Sequence, residues 1–154
     1  MNNIVHYYDN HFSHCSKHAI EGQPLSDKIS KAKGKNVLII EDQEIARKAH
    51  AFYLEPFQLN LTFATNAKSA FKAIENNRSP FKLILLDIGL PDINGLVLAK
   101  KLRAKGVTAP IVIASANVVS IKRQKLLQGC IQAFYVKPIN EEQYENIVLE
   151  FLSE

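Results

Sequence analysis

The chain of 154 residues contains no tryptophan, one methionine and only two cysteines, Cys15 and Cys130. Two cysteines cannot supply the dense disulfide framework of a small secreted protein, so a reducing compartment is the simpler expectation. No apolar run approaches the roughly 20 residues that cross a bilayer, and residues 1–22 lack the basic start and apolar centre of a secretory signal. These absences predict a cytoplasmic protein that makes no membrane contact.

A strong excess of one charge is missing as well, because 19 basic residues face 15 acidic ones, for a formal net charge of +4. Residues 1–36 and residues 37–154 each carry +2 of that surplus. Neither part has the basic stripe of a dedicated nucleic-acid binder, which predicts no direct contact with nucleic acid. The basic cluster KISKAKGK at residues 28–35 is predicted to be a solvated linker.

The pattern of the chain changes near Lys35. Residues 1–35 are polar and histidine-rich without a clear period, so we expect a flexible or partly helical extension, with a short helix at about residues 10–20. Residues 36–154 alternate between short apolar runs and stretches with apolar residues at helical spacing. The predicted elements are strand 36–40, helix 43–54, strand 61–64, helix 66–77, strand 82–87, helix 95–106, strand 111–115, helix 118–129, strand 133–136 and helix 140–152.

This alternation predicts an α/β domain of (βα)5 type over residues 36–154. Alternating strands and helices form a parallel sheet that helices cover on both faces, in a doubly wound arrangement. The continuous apolar strands agree with burial on both sides. The expected strand order is 2-1-3-4-5, and ligands bind such sheets at the carboxyl ends of the strands, near the point where the order reverses.

Charged or hydroxyl side chains follow four of the five predicted strands. They are Glu41 and Asp42 after the first strand, Asp87 after the third, Ser115 at the end of the fourth and Lys137 after the fifth. Three carboxylates at one edge repel each other unless a cation such as Mg²⁺ neutralises them. An ammonium group and a hydroxyl beside them predict a site for a phosphoryl group, with Asp87 on the central strand as the nucleophile.

The segments VLIIEDQ, LILLDIGLPDINGL, IVIASAN and FYVKPI resemble, in order and at suitable spacing, the four motifs of the receiver domain of two-component response regulators. The resemblance covers about residues 36–153 and implies the flavodoxin-like fold. It also implies a phosphoacceptor signalling domain rather than an enzyme. Asp87 would receive a phosphoryl group from a phosphohistidine on a sensor histidine kinase or a histidine phosphotransfer protein, and a downstream protein would read the change.

The same resemblance implies Mg²⁺ as the cofactor. Its ligands would be Glu41, Asp42, Asp87 and the backbone carbonyl of Gly89. Many relatives carry a larger side chain at the position of Gly89, so water has more room to reach the acyl phosphate here.

The resemblance also implies a switch. Ser115 and Lys137 would contact phosphoryl oxygens, and Ala116 would leave room for the group. Phe134 would turn its ring inward as Ser115 moves toward the phosphate. The peptide bond before Pro138 would be cis, a geometry nearly confined to prolines.

Three other functions are open alternatives at this point. No second domain follows Glu154, so we expect a single-domain receiver or relay, although a C-terminal receiver piece of a hybrid sensor histidine kinase has the same motifs. A Mg²⁺-dependent aspartyl-phosphate phosphatase of the haloacid dehalogenase type would need a second aspartate where this chain has Gly89. A degenerate receiver used only as a scaffold would not need the intact set of acidic, hydroxyl and ammonium groups.

The remaining histidines give weaker signals. His11, His14, Cys15 and His18 are spaced at i, i+3, i+4 and i+7, which on a helix would suit Zn²⁺. A polar tail with chance histidines, or a helix that binds a partner, explains the same pattern, and we expect the tail. His50 is predicted to be a partly exposed packing residue of the first helix.

Overall fold

A computed structural model of the protein describes residues 6–8, 24–116 and 129–154. Its elements are β1 (His6–Tyr8), α1 (Leu25–Ala32), β2 (Asn36–Ile40), α2 (Glu44–Leu54), a 3-10 turn (Glu55–Phe57), β3 (Asn60–Ala64), α3 (Ala67–Asn76), β4 (Leu83–Leu86), α4 (Gly95–Ala104), β5 (Ile111–Ser115), β6 (Ala133–Val136) and α5 (Glu141–Leu152). The helix predicted at residues 10–20 lies outside the described residues, and so does the helix predicted at residues 118–129 except for its last residue. So do the four spaced histidine and cysteine positions of the N-terminal segment.

The strands form one parallel sheet in the order β1-β6-β5-β4-β2-β3. Without β1 this is the predicted 2-1-3-4-5 order, and the predicted fold is confirmed. In the register of the sheet, Ile40 at the end of β2 stands opposite Ala64 of β3 and Leu86 of β4. The residues that follow β2 and β4 therefore leave the sheet side by side.

Each face of the sheet is covered by its own apolar core. On one face, α3 and α4 pack against alternate residues of the strands, such as Leu38 and Ile84. On the other face, α1, α2 and α5 cover the intervening residues, such as Ile39 and Leu85. Burial on both sides explains why β4 is apolar throughout and β5 is apolar up to Ser115, and it holds the strand ends rigidly. None of the described helices combines the length and apolar character needed to cross a membrane.

The helices begin and end at residues suited to those positions. Asn66 and Asn140 each form a capping box at the start of a helix, with Ser69 and Gln143 as the partner residues. Gly106 has φ +87° just after α4, a conformation that side chains with a Cβ rarely adopt. These local signals set the lengths of the helices, so the predicted bounds agree within two residues.

The N-terminal segment adds two elements that the sequence pattern did not predict. β1 extends the sheet beyond β6, with Tyr7 opposite Phe134. Part of the predicted linker belongs to α1, whose Ala32 is buried in the core beside Ile29. Two apolar residues three positions apart were too little to indicate a helix, and their burial against the rest of the fold stabilises it. Next to this helix, the Lys35 Nζ donates to two carbonyls at the end of the chain, 2.6 and 2.7 Å away.

Candidate functional site

The acidic residues that follow β2 and β4 meet at one edge of the sheet. Glu41, Asp42 and Asp87 each offer a carboxylate oxygen, and these three atoms lie within 4.8 Å of one another. The Asp87 backbone N–H donates to the Ile40 carbonyl at 3.0 Å, which continues the strand pairing up to the acidic side chains. Because the sheet fixes the backbone on both sides, mutual repulsion cannot separate the carboxylates by much.

The side chain of Lys137, which follows β6, reaches this acidic cluster. Its ammonium group donates to Glu41 Oε2 and lies 3.5 Å from Asp87 Oδ2. Its backbone N–H donates to the Ser115 carbonyl at 3.0 Å, which ties β6 to β5 at the same level. The structure therefore brings together all of the charged and hydroxyl-bearing strand ends that the sequence predicted as a site.

Glu41 is the most deeply buried of the acidic residues, with 1% of its surface exposed. Its Oε1 accepts the Gln43 backbone N–H at 3.1 Å, and its Oε2 accepts Lys137. Burial raises the pKa of the Glu41 carboxyl above its ordinary value, and the bond from Lys137 partly offsets this effect. A second cation at this edge would favour the ionised form further.

The donor set fits a hard divalent cation. Asp42 Oδ1 is buried and accepts no hydrogen bond from the residues that the structure describes. An unpaired buried carboxylate oxygen is costly, and coordination to a metal would remove that cost. Three carboxylates from two strand ends form the all-oxygen environment that Mg²⁺ prefers.

The turn after Asp87 is shaped by backbone contacts. The Gly89 N–H donates to Asp87 Oδ1 at 3.2 Å, which orients the carboxylate toward the edge of the sheet. Of the residues that the structure describes, a Cβ on Gly89 would touch only Asp87 Oδ2, at the ordinary contact distance of 3.8 Å. None of those residues therefore fills the space beside the carboxylate.

The residues assigned to the switch lie around this edge. Ser115 is 3% exposed, Ala116 is exposed at the surface, and the Lys137–Pro138 peptide bond is cis. Phe134 differs from the expectation, because its ring is fully buried in the core under α3 and α4. It points inward because β6 is an interior strand whose alternate residues fill this core, so the structure shows no outward position from which the ring would turn.

Comparison with known proteins agrees with this architecture. The family model of the response regulator receiver domain matches residues 37–149. The chain belongs to the response regulator receiver domain family. It is 31% identical over 108 residues to the transcriptional regulatory protein SrrA of Staphylococcus aureus, a match that covers 70% of this chain and 43% of SrrA. The chain thus spans less than half the length of the curated relatives that it matches.

Two solved structures are similar over most of the receiver domain. A two-component response regulator from Clostridium difficile has a TM-score of 0.69 at 27% identity, covering 77% of this chain and 95% of that one. The response regulator TrrA from Thermotoga maritima, solved in complex with Mg²⁺ and BeF, has a TM-score of 0.67 at 25% identity, covering 77% and 99%. Mg²⁺ is thus present in the structure of a similar receiver domain.

Three residues near the site were not predicted from the sequence. Arg47 of α2 donates to the carbonyls of Glu41 and Asp42, at 3.0 and 2.7 Å, and holds the turn that carries them. His50 is buried, 3% exposed, so the prediction of a partly exposed residue was wrong. It is buried because α5 packs over this face of α2, and no local pattern could reveal that contact.

The third of these residues is Asp92, whose side chain joins the loop after β4 to the start of α3. Its carboxylate accepts the backbone N–H groups of Ala67 and Lys68 at the start of α3, at 3.0 and 3.2 Å. The contact spans 25 residues of sequence and joins the turn that follows Asp87 to the helix behind β3. The sequence showed only an acidic turn residue after proline.

We expect Asp92→Asn to lower the free energy of unfolding at neutral pH. We expect this difference from the parent to disappear in acid. Hydrogen bonds from backbone N–H groups, that of Ala67 foremost, lower the pKa of the Asp92 carboxyl from 3.8. An acid whose pKa is lowered by folding stabilises the fold above its unfolded pKa, and the stabilisation disappears as pH falls through the folded value. Urea unfolding from pH 7 to below 3.8 measures this.

The matched control is Glu75→Gln, which removes an exposed carboxylate that lies 3.6 Å from Lys105. We expect it to lower the free energy of unfolding at neutral pH by less than Asp92→Asn, because the ion pair that it breaks is exposed. If Asp92→Asn lowers the free energy of unfolding by the same amount at every pH, then the carboxylate charge plays no part in the contact between Asp92 and α3.

Proposed function

We propose that this receiver domain accepts a phosphoryl group on Asp87 from a phosphohistidine of a sensor histidine kinase or a histidine phosphotransfer protein. The observation that supports it best is the bridge made by Lys137 between Asp87 and Glu41, beside the unpaired Asp42 Oδ1. A carboxylate nucleophile, an ammonium group and a carboxylate oxygen that accepts no hydrogen bond from the described residues thus share one edge of the sheet. The arrangement suits the transfer of a group that carries negative charge.

The reaction needs few protein groups. A carboxylate oxygen of Asp87 would attack phosphorus as the bond from phosphorus to the histidine nitrogen breaks, and the electron pair leaves with the imidazole. The ammonium group of Lys137 would then turn from Glu41 Oε2 and Asp87 Oδ2 to a phosphoryl oxygen. Mg²⁺ would supply charge neutralisation at the phosphoryl oxygens. Its protein ligands would be Glu41, Asp42, Asp87 and the Gly89 carbonyl.

The consequences of phosphorylation would be read by a protein in the cytoplasm. The buried Ser115 hydroxyl would move to a phosphoryl oxygen, and Ala116 leaves space beside it. Phe134 of β6, which is buried in the core, would transmit that movement to the strands on either side of β6. We propose a protein target rather than a nucleic acid, because the 19 basic and 15 acidic residues are nearly balanced. Hydrolysis of the acyl phosphate would end the signal.

A small phosphodonor tests the phosphoacceptor role without a partner kinase. With acetyl phosphate and Mg²⁺ we expect intact-mass spectrometry to show one added phosphoryl group, labile in base. Asp87→Asn should show none, because an amide oxygen is a poor nucleophile and the product would not be an acyl phosphate. Removal of Mg²⁺ with a chelator should also prevent labelling.

The control is Asp27→Asn, the same substitution in the first turn of α1. It should label like the parent. If Asp87→Asn takes up phosphate as readily as Asp27→Asn, then the phosphoacceptor is a different residue and the proposal is wrong.

A further inference from the structure

A histidine and a tyrosine form a buried pair directly behind the acidic site. Tyr144 of α5 and His50 of α2 are each 3% exposed, and the Tyr144 hydroxyl is 2.8 Å from His50 Nδ1. The other ring nitrogen, Nε2, is 4.0 Å from Glu41 Oε2. Tyr53 stacks on the Tyr144 ring with centroids 5.1 Å apart, which limits the movement of the hydroxyl. The phosphoryl-transfer chemistry proposed above uses neither His50 nor Tyr144.

The surroundings decide which nitrogen of His50 carries the proton. The Tyr144 hydroxyl is 2.8 Å from Nδ1 and keeps its proton, because burial raises its pKa, so it can donate to that nitrogen. With the proton on Nδ1 instead, Nε2 would present a lone pair to the Glu41 carboxylate. The favoured tautomer therefore has its proton on Nε2, facing Glu41.

The hydrogen bonds of Glu41 show why such a donor matters. The Gln43 backbone N–H donates to Oε1, and the Lys137 ammonium group donates to Oε2. The proposed transfer draws Lys137 toward the phosphoryl group, and Oε2 then loses that donor. A buried carboxylate without a donor is costly, and Glu41 is 1% exposed. His50 Nε2 needs to approach by only about 1 Å to form an ordinary hydrogen bond to the same oxygen.

We propose that His50 is a positioning residue for Glu41: Tyr144 holds it with the proton on Nε2, and that proton keeps the carboxylate in place when Lys137 turns to the phosphoryl group. The exchange of donors at Oε2 rests on the proposed function. The orientation of His50 by Tyr144 does not rest on it, because it concerns the resting protein. The two parts therefore have separate tests.

The first test uses nitrogen NMR of the full chain labelled in histidine, without Mg²⁺ or phosphodonor. His50→Gln identifies the His50 signals by their loss. We expect one neutral tautomer with the proton on Nε2 in the parent, and a mixture of both tautomers in Tyr144→Phe, which cannot donate to Nδ1. A proton on Nδ1 in the parent would overturn the proposal, and so would an unchanged tautomer in Tyr144→Phe.

The second test compares His50→Gln with His50→Phe. The glutamine amide nitrogen reaches about as far as Nε2 and can donate, whereas phenylalanine fills the space without a donor. We expect His50→Phe to slow labelling by acetyl phosphate at saturating Mg²⁺ about tenfold, because no donor then replaces Lys137 at Oε2. His50→Gln should recover most of that loss, although neither variant need match the stability of the parent.

The outcomes separate the two proposals. If both variants label equally slowly, in proportion to their loss of stability in urea, then His50 only packs and the positioning role is wrong. If the parent is never phosphorylated, then the proposed function fails, while the tautomer still decides whether Tyr144 orients His50.

Discussion

Gly95→Ala is expected to lower the free energy of unfolding by about 3 kcal/mol, measured by urea denaturation. A Cβ at Gly95 would overlap the Asp87 carbonyl oxygen and stand 2.7 Å from the Ile88 Cα. Both neighbours are backbone atoms at the end of β4, so no side-chain rotation relieves the clash. The Gly95 N–H also donates to the Ile88 carbonyl at 2.8 Å, and a shift of α4 would stretch that bond. Because the clash would displace the backbone of Asp87, labelling by acetyl phosphate should slow as well.

Gly89→Ala is the matched control in the same turn. Its Cβ would make only an ordinary contact, 3.8 Å from Asp87 Oδ2, and its backbone does not have a positive φ. We expect its stability to lie within about 0.5 kcal/mol of the parent. If the two variants lose stability equally, then the close approach of the backbone at Gly95 does not explain the loss.

Lys137→Met is expected to lower the free energy of unfolding by about 2 kcal/mol at neutral pH, because it removes the cation that faces buried Glu41. The expected loss is below that of a fully buried pair because the Lys137 side chain is 21% exposed. Burial raises the pKa of Glu41, and an acid of this kind destabilises the fold once ionised. The loss should therefore shrink as pH falls below 4.5, where this carboxyl is protonated in the folded and unfolded states alike.

A double-mutant cycle with Glu41→Gln isolates this pair. In the Glu41→Gln background, Lys137→Met should cost less, since no buried charge is left behind. The surface control is Lys48→Met, which breaks an exposed pair with Glu44 at 2.9 Å and should cost less than about 0.5 kcal/mol. If Lys137→Met costs no more than Lys48→Met at neutral pH, then the bridge does not stabilise the fold.

Much of this fold could be predicted because its signals are local. The run Ile111–Ser115 is apolar in all but its last residue, since helices cover both faces of the sheet, and the structure has the same bounds. The acidic and basic residues stand out because they follow such runs directly. Parallel pairing then brings Asp87 and Lys137 to one edge, whatever their separation in sequence.

The parts that could not be predicted depend on contacts between distant segments. The burial of His50 requires Tyr144, which is 94 residues further along the chain. The hydrogen bonds that Asp92 accepts require the start of α3. The strand β1 exists by pairing with β6, and its three residues alone do not distinguish a strand from a loop. In each case the local sequence fits several structures, and the partner selects one of them.

The edges of the sheet bear on how the protein behaves at high concentration. With β1 alongside it, β6 has neighbours on both sides, and the outermost strand there is only three residues long. Such a strand offers few free backbone groups for another molecule to pair with. At the opposite edge, the Asn60 side chain of β3 donates to the Gly34 carbonyl and to Asn36, which fastens the start of that strand to its own chain. Within the part of the chain that the structure describes, the end of the sheet at β1 is thus a poor template for strand-by-strand polymerisation.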